Sequence, residues 1–323
     1  TTFSLVDGEL MQLIHSPERL GFEVRYTDLN TAENKEDSLS SLALASANAL
    51  FDLENGPLLR CELIRMDAER HMLLLTMHHI ISDGWSMEVL VDEFNRLYKA
   101  HLNGGDAQLT PLRLHYKDFA QWQHDQLTGE VVSEAKNYWM QQFAGSIPVL
   151  QLPYDQPRPA VKTFNGAGME MQIDTEVSSF LRKLSHENDG SLFMTLMGAV
   201  NVLLYHYSGQ QDIIIGTPIA GRDHRDLENQ IGLYINTLAL RYQVEGGRSF
   251  KDFLTAVRTQ TLEAYQYQHY PFDLLVEELR LERDLSRSPL FDVMVLLNDA
   301  HQMSHFSNEE VITSEYQFDR KLS

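Results

Sequence analysis

The chain has 323 residues, 43% of them hydrophobic, which suffices for two domains or one large two-lobed unit. With 26 basic and 46 acidic residues it carries a net charge of −20, which excludes nucleic acid and anionic membrane surfaces as partner classes, since both need a positive surface. No apolar run reaches the ~18 residues of a membrane span, "TTFSLVDGEL" lacks the regions of a signal peptide, and the single cysteine, Cys61, rules out an internal disulfide, so a reducing cytoplasm is the expected location.

The chain opens on a hairpin pattern, "TTFSLVDGELMQLI", with Asp7-Gly8 at its turn. "FEVRYTDL" follows, and "NKEDSLSSLALASANALFDL" has the apolar spacing of a helix, broken at Asn55-Gly56-Pro57. "PLLRCELIRM" and "HMLLLTMHHI" read as strands, Cys61 packing in the first. The second is apolar on both faces, as a central buried strand should be. Ser82-Asp83-Gly84 ends it. Met87, Leu90, Val91, Phe94, Leu97 and Tyr98 then recur at helical spacing. "YKDFAQWQHDQL" and "EAKNYWMQQFAG" predict two more helices.

Four prolines (Pro148, Pro153, Pro157 and Pro159) mark a connection between halves. Beyond it the pattern predicts a strand "MEMQI", helices over "EVSSFLRKLSHENDG" and "SLFMTLMGAVNVLLYHYSG", and a buried strand "DIIIGTP". A strand "YINTLALRYQV", a helix "FKDFLTAVRTQTLEAYQYQ" and a last buried strand "FDVMVLLN" complete it. The expected organisation is α/β: an N-terminal lobe over residues 1–150, a linker over 151–166 and a C-terminal lobe over 167–323. The opening and closing segments both read as strands taken up midway, so a piece of a longer protein is expected.

Within "MHHIISDGWS", His78 and His79 stand in a greasy setting with Asp83 close behind. A core histidine bonded to a backbone carbonyl is the ordinary explanation for such a residue. Adjacent strand residues face opposite ways, which also argues against one shared metal ion. The sharper reading places the motif where a strand feeds a helix at a sheet rim, the usual gathering place for ligands of α/β proteins. One imidazole then faces a cavity and handles a proton near neutral pH. Gly84 leaves room for close approach to the backbone. Asp83, a buried charge needing a cation or several donors, orients the turn. No serine-hydrolase elbow, dinucleotide fingerprint or phosphate loop is present.

"HHIISDG" resembles the His-His-x-x-x-Asp-Gly motif of condensation domains of nonribosomal peptide synthetases. In family order it is joined by "YKDFAQWQ", "GTPIAGR", "IGLYINTLALR", "YQHYPFDLLVEEL" and "RDLSRSPLFDVM", so the resemblance covers nearly the whole chain. It implies a two-lobed fold similar to chloramphenicol acetyltransferase, each lobe a mixed sheet with helices, truncated here at both ends. It implies amide formation between a donor aminoacyl or peptidyl thioester and an acceptor aminoacyl thioester. Both substrates ride on 4'-phosphopantetheine arms of upstream and downstream peptidyl carrier domains and meet in a tunnel between the lobes, with an adenylation domain adjacent. No cofactor or metal is expected in the domain itself.

By the same resemblance His79 faces the tunnel, as base or as positioner of the amine, and His78 packs away from it. Asp83 pairs with an arginine of the other half, Arg241 first and Arg222 second. Gly84 keeps the acceptor side open, Trp85 supports the site, and Asn298 sits on the tunnel floor. The "HHIISDGWS" form is most similar to domains joining an L-donor to an L-acceptor. Epimerisation, or carrier docking without chemistry, are the alternatives the fold would allow.

Overall fold

A computed structural model describes residues 1–127, 129–163, 165–298 and 314. They group into two compact units, Thr1–Arg113 with Glu228–Leu233, and Leu114–Leu227 with the described part of Tyr234–Ala300.

The first unit begins with β1 (Thr2–Val6) and β2 (Glu9–Leu13), the expected hairpin, turned by Asp7 at φ 53° and Gly8 at φ 88°. Both turn residues need positive φ, which Asp and Gly tolerate best. After α1 (Pro17–Leu20) come β3 (Val24–Asp28), α2 (Lys35–Asn48), β4 (Leu59–Arg65), β5 (His71–Met77) and α3 (Gly84–Leu102). β4 lies between β3, parallel to it, and β5, antiparallel to it, giving a mixed sheet. Leu39 of α2 packs on Ile64 and Met66 to form its core, and Cys61 is buried in β4 as expected.

The expectation for β5 needs correcting. Among the described residues it is an edge strand, and Leu73 is 41% exposed. An apolar run guarantees neither that both faces are covered nor that a neighbour pairs on each side.

The second unit comprises α4 (Tyr116–Leu127), α5 (Glu130–Gln142), α6 (Thr175–Glu187), α7 (Leu192–Ser208), β6 (Asp212–Ile219), β7 (Asn236–Gln243), α8 (Phe250–Gln266), α9 (Phe272–Leu279) and β8 (Val293–Met294). β6 is central, antiparallel to β7 and parallel to β8, a second mixed sheet. Its Ile213–Ile215 run is buried with Leu238, Leu240, Tyr242, Met197 and Val257 in the main core. Gly198 lets α7 and α8 approach closely, since a Cβ there would lie 2.7 Å from Leu254 Cδ2. No described helix is long and apolar enough to cross a membrane.

Four expectations differ from the structure here. Residues 114–150 group with the second unit, not the first. Lys136 pairs with Glu278, the Trp139 indole donates to Tyr267 O at 3.0 Å, and Tyr138 stacks on Tyr267 at 4.4 Å. The proline-rich stretch is pinned inside that unit by Lys162 N–H to Leu285 O (2.8 Å) and Arg287 to Leu150 O (3.1 Å), so it does not separate the two. Prolines mark irregular backbone, and irregular backbone can lie against a core as well as between cores. "MEMQI" is coil, with Met169 97% and Met171 85% exposed. "FDVMVLLN" pairs only through Val293–Met294, and Leu296 and Leu297 are exposed rather than buried.

Candidate active site

β5 stops at Met77 because the next residue turns the chain. His78 caps a short 3-10 turn, His79–Ile81, its Nδ1 accepting the Ile80 N–H at 3.0 Å. An acceptor Nδ1 places the proton of the neutral ring on Nε2. Phe51 meets the His78 ring edge-on at 5.7 Å, and the Arg60 guanidinium lies 3.7 Å from the centre of Phe51. Arg60 in turn donates to Ser46 O and Ala49 O at the end of α2. His78 is therefore held by packing and by the turn. The two imidazoles diverge because one caps a turn and the other begins it, not because they alternate along a strand.

His79 is exposed and lines a cleft of about 320 Å³. Ala43 and Ala47 of α2, Leu74–Met77 of β5, and Ser82, Asp83, Gly84 and Met87 form the rest of its wall. The lining is mixed, with Ala, Leu and Met side chains beside Thr76, His79, Ser82 and Asp83, suiting a site that positions a reacting centre and handles one proton.

Asp83 is 5% exposed and caps α3. Its Oδ1 accepts from the Ser86 N–H at 2.8 Å and from the Ser86 hydroxyl at 2.6 Å. The helix terminus favours a negative charge there, and the two donors offset part of the cost of burying it. Gly84 is the first helical residue and is exposed. A Cβ on it would meet no atom within 4 Å, so its bare Cα opens onto free space.

Trp85 donates from its indole N–H to Glu228 O at 2.7 Å while its ring stays 41% exposed. Ser86 is fully buried at 0% and was not anticipated as a functional residue. Its hydroxyl also donates to Gly232 O (2.8 Å) and accepts the Gly232 N–H (3.1 Å). The Asp-x-x-Ser spacing of a helix cap was the available signal for it.

Five expected residues, His78, His79, Asp83, Gly84 and Trp85, thus fall together in the first unit, and three lie in the second. Arg241 is committed elsewhere than expected. It grips Asp212 with Nε (2.9 Å) and Nη2 (2.7 Å) and donates to Gln142 O and Ser146 O. All three nitrogens of the planar guanidinium are thus engaged within the second unit. Its role is to tie the end of α5 to β6 and β7. Arg222 lies 4.0 Å over the Tyr234 ring and donates to Leu227 O. Asn298 is exposed coil beyond β8. Among the described residues, no group of three or more His, Cys, Asp or Glu side chains could hold a metal ion.

A family model described as Condensation domain matches residues 1–323. The chain is 45% identical over 306 residues to tyrocidine synthase 3 of Brevibacillus parabrevis, covering 94% of this chain and 4% of that protein. It is 40% identical over 316 residues to gramicidin S synthase 2 of Brevibacillus brevis, covering 98% of this chain and 7% of that protein. Its fold is similar to the X-domain from teicoplanin biosynthesis, a structure also known in complex with OxyB, with a TM-score of 0.80, 27% identity, and coverage of 91% of this chain and 65% of that one. The chain belongs to the condensation-domain family of nonribosomal peptide synthetases. The chloramphenicol acetyltransferase-like α/β fold expected from its motifs is the fold it has.

Proposed function

We propose that this chain forms a peptide bond between a donor aminoacyl or peptidyl thioester and the amino group of an acceptor aminoacyl thioester. Both are presented on 4'-phosphopantetheine arms of flanking carrier domains, beside an adenylation domain. The observation that carries this reading is His79, exposed on the wall of a cleft of mixed polarity that Gly84 also lines, its bare Cα leaving free space. The acceptor nitrogen attacks the donor carbonyl, the C–N bond forms, the C–S bond breaks, and the donor arm leaves as a thiol. The nitrogen sheds one proton in the process, and His79 takes that proton or holds the amine.

The demand on the protein is modest. An unperturbed α-amino group titrates at about 7.7–8.0, so a useful fraction is already neutral at cellular pH. Holding amine and carbonyl in contact supplies roughly 7–11 kcal/mol, and a general base adds roughly 10²–10⁴-fold. Positioning therefore outweighs proton transfer. The "DGWS" continuation, Asp83 to Ser86, supports an L-donor and an L-acceptor.

The likeness to an X-domain that binds OxyB favours one second reading, a docking platform without chemistry. Mixing donor-loaded and acceptor-loaded carriers with the full-length protein separates these. A dipeptidyl thioester supports condensation. Binding with no product supports docking, and inversion of one substrate alone supports epimerisation.

A further inference from the structure

Residues Glu228–Leu233 belong to the first unit although the chain on either side of them belongs to the second. Two side chains of the first turn of α3 hold that segment. The Trp85 indole takes Glu228 O, and the Ser86 hydroxyl engages both backbone groups of Gly232. The same hydroxyl reaches Asp83 Oδ1 at 2.6 Å. It carries one hydrogen, which Asp83 and Gly232 O must share. The hydroxyl is fully buried and bridges the two, so a displacement of Gly232 is felt at Asp83. Asp83 caps the helix whose next residue is Gly84, and both line the cleft with His79.

We propose that Ser86 is a positioning residue for the reaction at His79, acting through a latch of Asp83, Ser86 and Gly232 that Trp85 reinforces at Glu228. This rests on the condensation reading for its kinetic consequence but not for the latch itself. The latch fixes where Gly84 opens the cleft wall, so loosening it misplaces reactants already bound. The effect falls on turnover more than on substrate affinity.

The test compares Ser86→Ala, Ser86→Thr and Trp85→Phe in the full-length protein. Backbone hydrogen exchange is read at residues 228–233, and kcat and KM are read with loaded carriers. Ser86→Ala is expected to speed exchange at Gly232 and lower kcat about tenfold or more with KM little changed, while Ser86→Thr, which keeps the hydroxyl, restores both. Trp85→Phe keeps an aromatic ring at this half-exposed position and removes the indole donor, and it is expected to fold, to speed exchange at 228–233 and to lower kcat severalfold. It decides the matter if Ser86→Ala does not fold. Unchanged exchange at Gly232 in a folded variant, or wild-type kcat with exchange accelerated, overturns the proposal. If the wild-type protein makes no dipeptide, the condensation reading fails while the exchange comparison still judges the latch.

Discussion

His79→Ala and His78→Ala separate two imidazoles that sit side by side. The His79 ring is exposed, so its loss should shift the thermal midpoint by no more than a degree or two, as for other surface changes. Dipeptide formation should fall about 10²-fold or more. His78→Ala removes the acceptor of Ile80 N–H and the edge contact with Phe51, and should cost about 1–3 kcal/mol on denaturant unfolding. A His79→Ala enzyme of undiminished turnover would take the chemistry away from that ring. A glycine of "GTPIAGR" carries a different message. Gly221 sits at φ 63° with its would-be Cβ 2.0 Å from Tyr234 O, a backbone atom that cannot step aside. Gly221→Ala should therefore lower stability by more than about 1 kcal/mol in an unfolding titration.

Elements report how a motif can be architectural. Asn236 opens β7 and governs the start of α9. Its Nδ2 donates to Gln268 O and Tyr270 O, each at 2.8 Å, and its Oδ1 accepts the Phe272 N–H. Asn236→Asp sets a carboxylate against two carbonyls, and about 1–3 kcal/mol should be lost, measurable as a lowered midpoint of chemical unfolding. Its two partner segments explain why "YINT" and "YQHYPFDLL" occur together. Hairpin, helices and the strand of Ile213–Ile215 were legible, since local chemistry dictates them: Asp-Gly at a turn, 3.6-residue periodicity, β-branched runs. "MEMQI" misled because alternation shows how side chains would point if a neighbour paired, and none does so among the described residues. The partner of Arg241 was equally hidden. The choice of Asp212 follows from strand register, Asp212 facing Gln243 and Ile214 facing Arg241, which no spacing in the chain displays. His79, Asp83 and Gly84 were visible through a local motif. The cap spacing could flag Ser86 beside Asp83, but not its partner Gly232, which lies 146 residues further on.

The whole molecule answers to pH through phenols. Burial holds Tyr242 and Tyr138 well above the ordinary phenol value, although the hydrogen bond to Thr261 partly opposes this for Tyr242. The unfolded chain releases these protons near pH ~10 while the folded one retains them, so the stabilisation is whole below that pH and declines above it. Alkaline unfolding should therefore set in above about pH 10, and Tyr242→Phe should flatten the fall, as read from stability measured at successive pH values.

Cys61 supplies a gauge for all of this. It is the single thiol of the chain, sits in the middle strand of the first unit, and burial raises its pKa, which keeps it unreactive. An alkylating reagent can tag it only in molecules whose β4 has come loose, so the labelling rate times how often that sheet breathes while near-ultraviolet circular dichroism, to which the second unit contributes most of the tyrosines, follows the remainder. Tagging that precedes any spectroscopic change would mean the two units give way separately; tagging in step with it would mean they fail as one.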